Sequence, residues 1–128
     1  METIVKNCLR SHAGKKIPSI LFTKNCGPYL ERMGNSGCDA LGVDWTLSLE
    51  EARQKVGHKV ALQGNLDPAV LYSDAARIKT EVGQVLQHYG AGAGHIFNLG
   101  HGILPDIDPN HVAVMIEAVH ALSPQYHL

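Results

Sequence analysis

The sequence predicts an α/β fold built from parallel βα repeats, and three observations predict it. Four short apolar stretches, residues 17–22, 40–45, 60–65 and 95–100, read as buried strands, and a helical pattern follows each. The links between them are short, and strand–helix alternation with short links builds a parallel sheet with right-handed crossovers. Polar side chains gather behind the carboxyl ends of those strands: Lys24, Asp44, Gln63, Asn65, Asn98 and His101. In open and closed parallel sheets alike, that edge holds the active site.

Taken in order, residues 2–11 are expected to form a helix, with Ile4, Val5, Cys8 and Leu9 on one face and Gly14 as its left-handed stop. Lys15 and Lys16 read as a solvated turn. The strand over residues 17–22 is opened by Pro18 and ends at Thr23, Lys24 and Asn25, where Lys24 reads either as a loop residue or as a cation facing a pocket. Residues 28–33 fit a short helix with Leu30 and Met33 on one side, stopped by Gly34. The second strand, ALGVDW, carries Asp44 near its end, and a buried strand seldom carries a carboxylate.

Ser48 and Glu51 have the spacing of a capping box, which starts a helix that runs to about residue 56 and stops at Gly57. The third strand, VALQGN, ends in two uncharged hydrogen-bonding side chains, Gln63 and Asn65. Asp67 and Pro68 begin a turn or short helix. Residues 75–89 form the longest helix, with Ile78, Val82, Val85, Leu86 and Tyr89 as its core stripe and Gly90 as its end. After the fourth strand, residues 103–107 are an irregular loop. Asp108 caps a last helix with Pro109 at its first position, and Val112, Met115, Ile116, Val119 and Leu122 are its expected buried face. Residues 124–128 are expected to fray.

The fourth strand lies in GHIFNLGHG, residues 94–102, and breaks into Gly100-His101-Gly102. Flanking glycines free the backbone and leave the ring uncrowded. A titratable ring at the end of a buried strand suits a barrel enzyme presenting a side chain to substrate. A turn that merely carries a histidine has the same sequence.

Composition narrows the classes. With 128 residues, 45% of them apolar, and a net charge of -1, the chain suits one globular domain. It has no basic excess for nucleic acid and no basic cluster for acidic lipid. No apolar run spans a membrane, and METIVKNCLR lacks the apolar centre of a signal peptide. Cys8, Cys26 and Cys38 are odd in number with no C-x-x-C pair, which points to a reducing cytoplasm.

Two architectures fit four βα units: a small open sheet, or half of a (β/α)8 TIM barrel, whose usual length of about 250 residues is roughly twice this one. No strand-to-helix turn matches a phosphate-binding fingerprint. The glycines at 90, 92 and 94 precede a strand and make a loop, not a dinucleotide cradle.

The motifs GVDWT at 42–46, LQGNLDP at 62–68 and NLGHG at 98–102, in this order and at these separations, resemble the uroporphyrinogen decarboxylase family. The resemblance covers essentially all of residues 1–128 but only the C-terminal half of the family's barrel. It implies a TIM-barrel carboxy-lyase, usually a homodimer, that needs no metal or organic cofactor and takes a tetrapyrrole substrate. Such enzymes remove carbon dioxide from the four acetate side chains of uroporphyrinogen III to give coproporphyrinogen III, a step of haem biosynthesis. His101 matches the family's histidine beside the tetrapyrrole, in a substrate-binding role. The family's essential aspartate and its carboxylate-binding arginines belong to the N-terminal half, so no catalytic residue is assigned here and the isolated chain is expected to be inactive. Lys24, Asp44, Gln63, Asn65 and Asn98 are candidates for the pocket rim, and Asp44, which lies in a different motif, does not replace the essential aspartate.

Two alternatives stand beside this. Zinc-dependent, cobalamin-linked methyltransferases of the same superfamily place a His-x-Cys pair after the strand corresponding to 17–22 and another cysteine near the last strand. Here Lys24-Asn25-Cys26 and His101 keep one thiol of that pattern, and no metal site is expected. The other alternative is a non-catalytic fragment that binds or assembles.

Overall fold

The computed structural model describes residues 2–8 and 10–127. Its centre is a sheet of β3 (Ile20–Phe22), β4 (Ala40–Gly42), β5 (Ala61–Gln63) and β6 (His95–Ile96), in that order and parallel throughout. The register sets Phe22 beside Gly42, Gly42 beside Gln63, and Gln63 beside Ile96. The strands are shorter than the apolar runs imply, because regular pairing stops where the chain bends toward the loops. Single hydrogen bonds carry the last pairing further: Leu66 N–H donates to Asn98 O at 3.1 Å and Gly100 N–H to Leu66 O at 2.7 Å.

Helices α2 (Leu30–Gly34), α3 (Leu49–Val56), α4 (Ala75–Tyr89) and α5 (Pro109–Leu122) accompany the sheet. Side chains alternate across a strand. Leu41, Val43 and Leu62 are buried in one core with Leu30, Leu49, Ile78 and Val82. The opposite face is open: Ile20, Phe22 and Ile96 are 51, 44 and 43% exposed. The fold is α/β, four parallel βα units forming part of a barrel, with helices on one face and the strands' other face bare.

The caps explain the helix boundaries. Ser48 Oγ accepts from Glu50 N–H at 3.2 Å. The return half of the expected capping box gives way to a different pairing, because Glu51 bonds Lys55 one turn on at 2.6 Å. Asp74 and Asp108 accept from Arg77 and Asn110 N–H at 2.8 Å each and start α4 and α5. The stripe of α4 is buried as its spacing predicts. That of α5 is corrected: Ile116 is 47% exposed and the small Ala118 is the residue fully covered. Helix α5 lies close on α4, with Leu122 against Gly83.

The two chain ends depart most from expectation. Helix α1 spans only Glu2–Asn7, and Leu9 lies outside the described residues. Ser11–His12 (β1) and Lys15–Lys16 (β2) pair as an antiparallel hairpin. Ala13 and Gly14 have φ of 49° and 75°, the left-handed pair that a two-residue hairpin turn requires. Asp39 fixes the hairpin to the sheet. It accepts from Arg10 Nη2 at 2.9 Å, from Ser19 N–H at 2.8 Å and from Lys16. The Lys16 ammonium, then the Ser19 amide, holds the Asp39 carboxyl down at about 2. At the other end, Ser123–Tyr126 forms a 3-10 turn instead of fraying, because Tyr126 O accepts from Gly92 N–H at 2.9 Å.

His95 closes the same end of the core. It stacks on Tyr89 with ring centroids 4.4 Å apart, and Arg53 sits over the Tyr89 ring, also at 4.4 Å. His95 Nε2 lies 2.8 Å from Gly64 O, so that nitrogen carries the proton. Burial pushes the His95 pKa down, against the Gly64 carbonyl, with Arg53 and His127 adding to the fall. The unfolded chain, whose histidine titrates near 6.5, therefore binds more protons below neutrality. The stability held by neutral His95 is complete above that value and is lost as pH falls through the folded-state value. Melting temperature should fall from pH 7 to pH 5, and His95→Gln should flatten that slope. An unaltered slope in the variant would remove His95 as the cause.

Candidate active site

The carboxyl ends of the four strands converge through Asp44, Asn65 and Gly100. Asp44 is fully buried and accepts hydrogen bonds from three groups: Cys26 N–H at 3.2 Å, Thr46 N–H at 2.8 Å, and Thr46 Oγ1. Burial pushes its pKa up. The bonds from Thr46, together with the Cys26 and Asn25 amides, outweigh burial and hold the carboxyl below its ordinary value. Asn65 Nδ2 donates to Asp44 O at 2.9 Å and to Leu47 O. Gly100 passes so close that a Cβ there would sit 2.5 Å from Trp45 N and 3.2 Å from Asn65 O. Asp44 and Asn65 thus tie three strand ends together and turn their polar atoms inward.

The open side of this edge carries an aromatic row. The His101 ring meets Trp45 edge-on, at 5.9 Å and 88° between planes, and Phe22 at 6.0 Å and 65°. Phe22 lies across Gly42, where a Cβ would come within 2.8 Å of its ring. Lys24 Nζ stands 5.5 Å from the Trp45 ring centre, within the range of a cation–π contact. His101 and Lys24 are exposed. His101 is not packed among Val112, Met115 and Val119, so it is no core histidine.

The candidates therefore separate. His101 and Lys24 share the aromatic row. Gln63 is half-buried and in register with Gly42 and Ile96 on the bare face. Asn98 is exposed at the edge, its Oδ1 accepting from Leu99 N–H at 2.8 Å. Asp44 and Asn65 lie beneath as supports. Sequence reading missed Trp45 and Phe22; the signal available was the single tryptophan of the chain, sitting at a strand end.

Cys26 bears on a metal. Its side chain is fully buried, and burial raises its thiol pKa. Among the described residues, no group of three histidine, cysteine or acidic side chains has the geometry to hold an ion. No helix there is long and apolar enough to cross a membrane.

The family model described as uroporphyrinogen decarboxylase (URO-D) matches residues 1–122. The chain belongs to the uroporphyrinogen decarboxylase family. It is 58% identical over 127 residues to the uroporphyrinogen decarboxylase of Idiomarina loihiensis, covering 99% of this chain and 36% of that protein. The Legionella pneumophila enzyme of the same name is 68% identical over 112 residues, covering 88% of this chain and 32% of that protein. The chain thus spans about a third of the curated decarboxylases it matches. Among solved structures, a methyltransferase from Methanosarcina mazei superposes with a TM-score of 0.73 at 22% identity, over 85% of this chain and 32% of that one. That likeness concerns the fold. The high identity lies with the decarboxylases, so the methyltransferase alternative is not favoured.

Proposed function

We propose that residues 1–128 are the C-terminal portion of a uroporphyrinogen decarboxylase barrel, and that they supply His101 to the substrate site. The carrying observation is the exposed His101 ring on the strand-end edge, set in the NLGHG motif beside Trp45 of GVDWT. The whole enzyme is a carboxy-lyase. A pyrrole carbon takes a proton and the ring becomes an electron sink. The bond from the acetate methylene to its carboxylate breaks, its electron pair enters the ring, and carbon dioxide leaves. A proton delivered to the methylene then gives a methyl group, and loss of the proton first added to the ring carbon restores the aromatic pyrrole. His101 positions the macrocycle by a hydrogen bond and is not the proton donor. The family resemblance further supports a cytoplasmic homodimer that works without metal or organic cofactor.

In the complete enzyme, His101→Asn should slow decarboxylation by about tenfold to a hundredfold, the scale of one hydrogen bond to a charged group. Partly decarboxylated intermediates should accumulate while the fold survives. Unchanged kinetics and product distribution would remove His101 from the site.

A further inference from the structure

We propose that Lys24 is a substrate-binding residue: the ammonium held over Trp45 takes one carboxylate of the tetrapyrrole while the Trp45–His101–Phe22 row lies against its ring. This rests on the function proposed above and adds to it a cation that the family assignment does not supply.

The first support is that Lys24 stands over Trp45 and has no counter-ion among the described residues. Its ammonium lies 5.5 Å from the Trp45 ring centre. The ion pairs among the described residues involve Asp39, Glu51 and Glu81, and Lys24 joins none of them. Asp44, two residues beyond β4, is fully buried and occupied by Cys26 and Thr46. The second support is the company Lys24 keeps. Phe22 is 44% exposed on the bare sheet face, and His101 is exposed beside it. An apolar wall with an unneutralised ammonium at one end fits a flat heterocycle that carries acid side chains. Arginine keeps the charge and stacks on an aromatic face, so it should still pair with a carboxylate over Trp45.

Trp45 is the chain's single tryptophan, so its fluorescence reads this site directly. The test titrates the 128-residue chain with uroporphyrin, the stable oxidised macrocycle, and with the same macrocycle capped as side-chain amides. Lys24→Met should weaken uroporphyrin binding about tenfold, on the scale of one charge-assisted hydrogen bond at an exposed site. It should leave the amide form unchanged, and Lys24→Arg should restore the acid. Equal binding of uroporphyrin by Lys24→Met and the parent chain would overturn the role of Lys24 and leave the decarboxylase reading intact. Equal weakening of both macrocycles would also overturn it, because Lys24 would then act by packing Trp45. Absence of Trp45 quenching by either macrocycle would overturn the subsite. The decarboxylase reading would survive that outcome and be judged by the His101→Asn kinetics.

Discussion

Asp44→Ala should destabilise this chain by about 3–5 kcal/mol. The side chain is fully buried, and its removal orphans the Cys26 and Thr46 amides, the Thr46 hydroxyl and the space the carboxylate filled. A buried donor left without a partner costs about 1–3 kcal/mol, and two amides alone account for most of the expected loss. Against a total stability of about 5–15 kcal/mol for an ordinary domain, that is a large share. Asp44→Asn should cost less, about 1–3 kcal/mol, because its oxygen still accepts while its amide nitrogen faces other donors. The pH dependence has a definite sign. The folded carboxyl titrates below its unfolded value of about 3.9. Its contribution is therefore complete above that value and lost as pH falls through the folded one. Urea midpoints measure both effects. A midpoint in Asp44→Ala equal to that of the parent chain would show that the loop amides find other partners.

Asp44 also illustrates what a sequence conveys. A carboxylate in an apolar strand is conspicuous, but the same pattern serves a catalytic acid and a structural acceptor. Only the position of the Cys26 amide, 18 residues away, separates them. Regular elements were legible where one period persists: α4 and α5 begin and end at the residues their stripes and flanking Asp, Pro and Gly indicate. Parallel order was legible because short strand–helix links leave little choice. The hairpin at residues 11–16 was not, since two-residue strands have no period to detect and its stability comes from Asp39, far along the chain. In the site, glycines on both sides made His101 visible. Trp45 and Phe22 were hidden because each looks like an ordinary core aromatic. Their meeting with His101 depends on β3, β4 and the chain beyond β6 coming together.

The purified 128-residue chain should release no carbon dioxide from uroporphyrinogen and should self-associate. The first expectation follows from charge. The proposed substrate carries eight carboxylates, and the aromatic row offers one ammonium and one imidazole. None of the chain's four arginines adds to it: Arg10 pairs with Asp39 and Arg77 with Glu81, Arg53 donates to the carbonyls of Tyr89 and Ala91, and Arg32 lies on α2. Engaging all eight carboxylates and protonating such a substrate needs groups from the rest of the barrel. The second expectation follows from the bare sheet. Among the described residues, no strand pairs with the outer edge of β3 or of β6. Ile20, Phe22 and Ile96 leave apolar area in water. At about 25 cal/mol per Å², a few hundred Å² amounts to several kcal/mol, comparable to the stability of a whole domain. Pairing β6 of one copy with β3 of another, twice over, would join eight parallel strands into a ring and cover that face. It would not supply the missing cations. Light scattering and a carbon dioxide assay decide the two points separately. A compact monomer would refute the argument from bare edges, and turnover by the purified chain alone would refute the argument from missing charge.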